Sequence, residues 1–527
     1  MIDAGSVILL AAAAMTFTPA IAHGAGRNDS HGSVRAADDD KGKPTDDDTV
    51  KASAVEDAQP SQGSVTTRSG EKIAYTVTPG TLTIRDDHGE AIASMFYVAY
   101  VADNLGGREK RPITFLFNGG PGSSSMWLHI GSWGPVRVAT PTADAPPAAP
   151  FHIDKNPLTL LDDSDLVFLD AVGTGLSRPL GKHKGTEFYG VDPDIESFAR
   201  AIERYLTIGK RWNSPKFIYG ESYGTLRAAG LVLALQKRGV EANGVVLQSS
   251  ILNYGARQPG FDISEVRFLP SYAATAWYHN RQPNRPATLE PFLAKVRAWT
   301  RGPYLTALAQ GYDLPDDQRR AVAEQMHDYT GLPVPFLLAS NLRVDLDSFR
   351  KELLRDQGET LGRLDSRFVG TDAEVLGEHP DYDVTDTSLS GPYVAAINSY
   401  LFGTLGYKTD LAYRPTFYQE IGRAWSQKHK APDGGTQKLA ATSLDLAAAM
   451  RMNPHLKVLS LNGYYDMATP FFGTEWDLDH MPIAPALRQN ISYRYYQSGH
   501  MIYVAPEAMA KMKQDLDAFY AGATSGG

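Results

Sequence analysis

There is no cysteine among the 527 residues, which excludes a disulfide, a thiolate metal site and a cysteine nucleophile. Positive charge is also in short supply. Lys and Arg number 51 against 60 Asp and Glu, a formal net charge of −9, and they gather into no dense stripe. Neither a nucleic acid nor an anionic membrane surface is therefore an expected partner. Long apolar runs are scarce as well, and after residue 22 no stretch of about 18 residues could span a bilayer. What is present is a composition 43% hydrophobic and 10% aromatic, enough for a large core. At roughly 150 residues per domain the length admits several domains, but one large α/β unit with an insertion fits too. The missing cysteines assign no compartment, because an exported chain can do without them.

The first residues address that question directly. Gly5 to Ala22 reads GSVILLAAAAMTFTPAIA and ends in Ala20-Ile21-Ala22. Small residues three and one before a cut are what signal peptidase accepts, so residues 1–22 read as a signal peptide and the protein as exported, periplasmic or secreted. The opening MIDAG carries Asp3 and no Lys or Arg, which leaves an uncleaved anchor as the alternative. Residues 23–63 hold two Asp triplets and few large apolar side chains. Such a segment cannot offset its ordering entropy by burial, and it reads as a disordered acidic tether.

From about Ser64 strand patterns begin. Ile73–Val77, Thr81–Ile84 and Met95–Val101 read as an antiparallel meander. Ile113–Phe117, Leu166–Leu169, Phe217–Tyr219, Val245–Leu247 and Val458–Leu461 are short, continuously apolar runs, as strands buried on both faces require. Between them lie helical periods, one of them opening at Asp192-Pro193, an N-cap with proline first in the helix. The pattern predicts an α/β fold with a mostly parallel central sheet and helices on both faces. From Gly255 to Gly391 the alternation gives way to helical faces such as Phe292, Val296 and Trp299. The expected division is a core over 64–254, a helical lid insertion over 255–391, and the rest of the core over 392–527.

One strand-to-helix turn carries chemistry. Phe217-Ile218-Tyr219 runs into Gly220-Glu221-Ser222-Tyr223-Gly224 and then into a good helix. Glycine two residues either side of a serine at such a turn allows the strained backbone that presents a nucleophilic hydroxyl. The serine needs a base, and the base an orienting acid. Asp466 follows the strand at 458–461, and His500 follows Ile491–Tyr496. Asp477, Asp479 and His480 are the rivals, read as loop residues because DLDHMP follows no strand. Asn118-Gly119-Gly120-Pro121-Gly122, just past the strand at 113–117, can aim a backbone N–H at a developing oxyanion. Gly120 would act there with the N–H of Tyr223.

Together NGGPGSSS, DAVGTGLS, GESYGT, NGYYDMATP and SGHM, in this order, resemble the serine carboxypeptidase family, closest to its bacterial branch, where GRLDSRFVG at 362–370 also has counterparts. The resemblance covers roughly residues 64–520. It implies an α/β-hydrolase fold with a helical insertion, acting without metal or cofactor on peptides with a free C-terminus. It also implies Ser222 as nucleophile, His500 as base and Asp466 as its partner, with Gly120 and Tyr223 as oxyanion donors. Asn118, Glu221 and the N–H of Gly119 match positions that bind the substrate carboxylate. Glutamate can do so only when protonated. In eukaryotic members a second glutamate partners the first, but the aligned residue here is Ser132, so a strongly acidic optimum is not expected. Ser123 stands where a cysteine is usual, and Tyr503 where a proline is usual after His-Met-x.

The triad alone leaves an esterase, an acyltransferase or a proline-releasing aminopeptidase open. A carboxypeptidase needs neutral or protonated groups at the substrate end, whereas an aminopeptidase needs carboxylates facing an ammonium. Asn118 beside a single Glu221 favours the first. A non-catalytic binding module is disfavoured by Ser222, Asp466 and His500 all being present. Side-chain preference and oligomeric state are not encoded in any motif.

Overall fold

The computed structural model describes residues 50–103, 107, 109–140, 142–258 and 260–524. The expected signal peptide and the tether up to residue 49 lie outside these residues. One mixed sheet organises the rest. Its strands are β1 (Ser61–Thr66), β2 (Lys72–Arg85), β3 (Ala91–Ala102), β4 (Ile113–Phe117), β5 (Asp165–Leu169), β6 (Lys216–Ser222), β7 (Gly244–Ser250), β8 (Lys457–Gly463) and β9 (Ile491–Tyr496). The spatial order is β1-β2-β3-β5-β4-β6-β7-β8-β9, with a two-residue strand, Arg178–Pro179, pairing with β3. β1, β2, β3 and β5 pair antiparallel, and from β5 to β9 every pairing is parallel. The expected architecture of a meander leading into a parallel sheet is what the chain adopts.

The continuously apolar strands are buried throughout, as in ITFLF of β4 and DLVFL of β5. Their two faces build two cores. Helices α1 (Val191–Ile208) and α2 (Tyr223–Lys237) pack on one face, where Phe115 and Phe117 meet Phe198, Ile202 and Leu226. The other face carries Leu116, Phe168 and Tyr219 against Met126–Trp133 and against side chains of two helices further along the chain. A third core belongs to the insertion. It is built on α3 (Ile263–Tyr278) and the helices after it, and it also takes in Tyr464, Tyr465, Met467, Phe471 and Phe472 from beyond β8.

Several boundaries differ from expectation. Ile73–Val77 and Thr81–Ile84 are one strand, because β2 runs unbroken through Pro79-Gly80 and pairs with β3 along that length. Proline is tolerated there because its nitrogen faces the segment before β1, where the Pro79 carbonyl accepts from Gln59, and not β3, so no bond to β3 is lost. α1 starts at Val191 after Gly190, not at an Asp192 cap. The Asp192 carboxylate instead accepts from His429 Nδ1 at 2.6 Å and from the Lys430 N–H at 3.0 Å. Part of the expected tether is packed: Glu56 accepts two bonds from Arg204, and Gln59 N donates to Pro79 O. Residue 391 is no boundary either. It falls inside α4 (Val384–Asn398), and after β7 the next strand of the sheet is β8, which starts at Lys457. Between them α5 (Ser443–Met452) packs back onto the core beside α2, and α6 (Pro506–Thr524) closes the opposite face.

At the base of the sheet Asp165 is buried between two arginines. Arg111 Nε donates to it at 2.7 Å, Arg211 pairs with its other oxygen, and the Ala102 N–H donates at 3.1 Å. Removing the acid would leave two buried cations unpaired. Asp165→Ala is expected to lower the unfolding free energy by about 3–5 kcal/mol, read from denaturant titration. A change near zero would mean that water already reaches the arginines.

Candidate active site

Ser222 ends β6, and α2 begins at the next residue. Its backbone is forced to φ 61°, ψ −131°, a region that costs an L-residue of order 1–3 kcal/mol. Close approach of neighbouring backbone holds it there. A Cβ on Gly220 would lie 2.1 Å from the Gly224 carbonyl oxygen, and one on Gly119 would lie 2.4 and 2.5 Å from the Gly224 and Tyr223 nitrogens. The two glycine-bearing turns therefore interlock backbone to backbone. This juxtaposes Asn118, Gly119 and Gly120 with the N–H of Tyr223, the group of residues the motifs singled out.

An arginine absent from the motif reading locks the same arrangement. Arg227, one turn into α2, donates to the Asn118 carbonyl at 2.7 Å and to Asp194 at 2.8 and 3.1 Å. The Tyr223 hydroxyl donates to Asp194 at 2.9 Å, and the guanidinium lies 4.2 Å from the Phe198 ring centroid. The sequence signal for Arg227 was its place on the buried face of a helix, a costly position for a charge unless it is paired.

The acid and the base meet across the ends of β8 and β9. Asp466 accepts from the N–H groups of Ala468 and Thr469 at 2.8 and 2.9 Å and from the Thr469 hydroxyl at 2.5 Å. His500 Nδ1 donates to Asp466 Oδ2 at 2.8 Å. A proton held on Nδ1 leaves the lone pair on Nε2, the tautomer a general base needs. Burial opposes a charged imidazole here, but the charge and hydrogen bond of Asp466 outweigh it and hold His500 above the ordinary histidine range. The His500 carbonyl accepts from Ser249 Oγ at 2.6 Å, and the next residue, Ser250, is the register partner of Ser222. The rivals fall elsewhere. Asp477 and Asp479 lie on the helix Phe471–Asp479, which His480 caps, and not in a loop. Asp477 pairs with Arg267, and Asp479 with Arg301 and Arg488.

Glu221 is buried beside the serine. Gln248 Nε2 donates to it at 3.0 Å, the Tyr503 hydroxyl donates at 3.3 Å, and the Asn118 side chain also hydrogen-bonds it. Desolvation pushes its carboxyl up to about 7, against the lowering influence of His500, Tyr503 and Asn118. Ser132, expected from the sequence to stand where eukaryotic family members carry a second glutamate, donates its hydroxyl to the Leu128 carbonyl at 2.8 Å. The neighbours of Glu221 are thus a tyrosine and an amide, not another carboxylate. Tyr503 carried a sequence signal only as a departure from a usual proline, and Gln248 carried none. Among the described residues no cluster of His, Asp and Glu is arranged to hold a metal.

The Glu221 environment has a thermodynamic signature separate from catalysis. A carboxyl with a folded pKa above its unfolded value binds more protons in the native state, so stability falls as pH rises from about 4.5 to about 7. Glu221→Gln removes that loss. Relative to wild type, it is expected to be more stable at pH 8 than at pH 5 by an increment on the order of 3 kcal/mol. Chemical unfolding of both proteins at the two pH values checks this; an increment of zero would mean that Glu221 is solvated.

The chain is similar to known proteins. Residues 75–258 match the family model of the serine carboxypeptidases. A serine carboxypeptidase-like protein of Arabidopsis thaliana, number 20 of its series, is 27% identical over 188 residues. That match covers 35% of this chain and 36% of the relative, so the chain spans about a third of the relative's length. Among solved structures, the prohormone-processing carboxypeptidase Kex1Δp of Saccharomyces cerevisiae superimposes with a TM-score of 0.52 at 13% identity, covering 84% of this chain and 91% of that one. At that identity the likeness establishes the α/β-hydrolase fold. The similarity to the serine carboxypeptidases thus runs through residues 75–258, carried on an α/β-hydrolase fold.

Proposed function

We propose that the protein is a serine-type carboxypeptidase that releases C-terminal residues from peptides through an acyl-enzyme. Ser222 attacks the scissile carbonyl, His500 takes the hydroxyl proton and later returns it to the leaving amine, and Asp466 holds the imidazole in the required tautomer. The N–H groups of Gly120 and Tyr223 stabilise the oxyanion, a contribution of roughly 3 kcal/mol per donor in comparable sites. Asn118, the Gly119 N–H and Glu221 receive the substrate carboxylate. Export through the apolar segment ending at Ala22 belongs to the same reading, with His23 as the expected first residue of the mature protein on N-terminal sequencing.

The observation that carries the choice of substrate is the buried Glu221 among neutral hydrogen-bonding partners. Held neutral below about pH 7, its carboxyl can donate to a C-terminal carboxylate, whereas the ionised form would repel it. An aminopeptidase would need the opposite charge logic, carboxylates kept ionised towards an ammonium.

The test compares an N-acylated Phe-Leu as free acid, amide and ester across pH. The free acid is expected to be preferred below pH 7, with its KM rising above that value while the KM of the amide stays level. Equal rates on acid and amide would transfer the assignment to an esterase or acyltransferase. Ser222→Ala and His500→Ala are each expected to lower kcat on the order of 10⁶-fold, and retained turnover by folded Ser222→Ala would sink the mechanism.

A further inference from the structure

The segment 363–367, part of the insertion, threads between the loop that carries Asp466 and the loop that carries His500. It bonds to both. The Arg363 carbonyl accepts from the N–H of Met467, the residue after Asp466, at 3.1 Å, and the Ser366 N–H donates to the carbonyl of Tyr465, the residue before it, at 3.0 Å. On the other side the Leu364 carbonyl accepts from the His500 N–H itself at 2.7 Å. Asp365 Oδ2 accepts from the Gly499 N–H at 3.1 Å. Arg367 donates to the Gln497 carbonyl at 3.2 Å and to Ser498 Oγ at 3.1 Å.

Asp365 and Arg367 are both buried and paired with each other, Nη2 to Oδ2 at 2.6 Å, with Nε to Oδ1 at 2.9 Å. The approach to the base loop is tight, since a Cβ on Gly499 would lie 2.4 Å from the Asp365 Cβ. Behind the segment the insertion supplies a rigid seat. Ser366 shares a hydroxyl bond with Thr275 of α3 at 2.6 Å, and the Asp383 carboxylate, capping α4, accepts from the Arg363 and Leu364 N–H groups at 2.9 and 3.2 Å.

We propose that residues 363–367 are a positioning brace through which the helical insertion sets the alignment of His500 with Asp466, and that Asp365 is its central positioning residue. The proposal rests on the Ser222–His500–Asp466 reading but goes beyond it. The brace fixes the residues on both sides of the acid, the residue just before the base, and the backbone of the base itself. Misplacement by about 1 Å at this pair can cost on the order of 10²-fold in rate. Bracing by backbone bonds and one buried ion pair does in this cysteine-free chain what a covalent staple could do elsewhere.

The experiment compares full-length Asp365→Ala and Asp365→Asn with Asp372→Asn. The last breaks the buried Lys351–Asp372 pair inside the insertion, away from both loops. Asp365→Ala is expected to lower kcat on the order of 10²-fold with KM within about twofold, and to weaken the low-field proton NMR signal of the His500 Nδ1–H. Asp365→Asn keeps an acceptor for the Gly499 N–H and is expected to recover part of kcat. Asp372→Asn is expected to lower the melting temperature while kcat stays at the wild-type value.

Unchanged kcat and NMR signal in folded Asp365→Ala would overturn the brace. So would an equal fall in kcat for Asp365→Ala and Asp372→Asn, since that would reduce the effect to general loosening of the insertion. Failure of the underlying triad is read separately, from residual turnover by Ser222→Ala.

Discussion

The structure turns on the place where two backbones come too close for side chains. Ser222 is held at a positive φ because Gly220 lies against the Gly224 carbonyl and Gly119 against the amides of Tyr223 and Gly224. Any Cβ at these glycines would force the turns apart. The strain is sustained because both turns are anchored in a sheet buried on both faces, β4 and β6 being adjacent and parallel. Arg227 then ties the Asn118 carbonyl to Asp194 on α1. The presentation of Ser222 at the turn, the backbone geometry around it and the position of Glu221 all follow from that one interlock.

Around it several buried polar groups are paired. The carboxylates nearest the site have different sets of partners. Asp466 accepts bonds from two backbone N–H groups, the Thr469 hydroxyl and His500. Glu221 has a long tyrosine bond, two amide contacts and no cation hydrogen-bonded to it among the described residues, so desolvation dominates and its carboxyl rises to about 7. One acid can orient a base while its neighbour can carry a proton, and the division needs no second glutamate. Glu221 has Tyr503, Gln248 and Asn118 as hydrogen-bonding partners.

The insertion is more than a cover over the sheet. Its own core takes in Tyr464, Tyr465 and Met467, residues that flank Asp466, and its segment 363–367 hydrogen-bonds the loops of both acid and base. The insertion thereby reaches both members of the pair through specific local contacts. In a chain with no disulfide, that packing and the Asp365–Arg367 pair provide the constraint.

By itself the sequence determined the elements whose signal is local. Continuous apolar runs marked the parallel strands, because burial on both faces leaves no polar alternation. The glycines around Ser222 marked a strained turn, because few other residues tolerate it. The candidate acid and base were legible as polar residues just past strands, and the three motifs lie where they can converge. Tertiary structure decided what depends on partners distant in the chain. Residues 54–62 looked like tether by composition, yet Glu56 finds Arg204 and the segment packs along β2. Asp192 looked like a helix cap, but His429 and Lys430 claim it from more than 200 residues away. Gln248 carried no pattern, and the partners of Tyr503, Arg227 and Asp365 were not legible, because a buried hydrogen bond depends on which groups the fold brings within about 3 Å. Local periodicity fixes where strands and turns lie, but the protonation and alignment of a site are set by contacts that exist only once the sheet has closed around it.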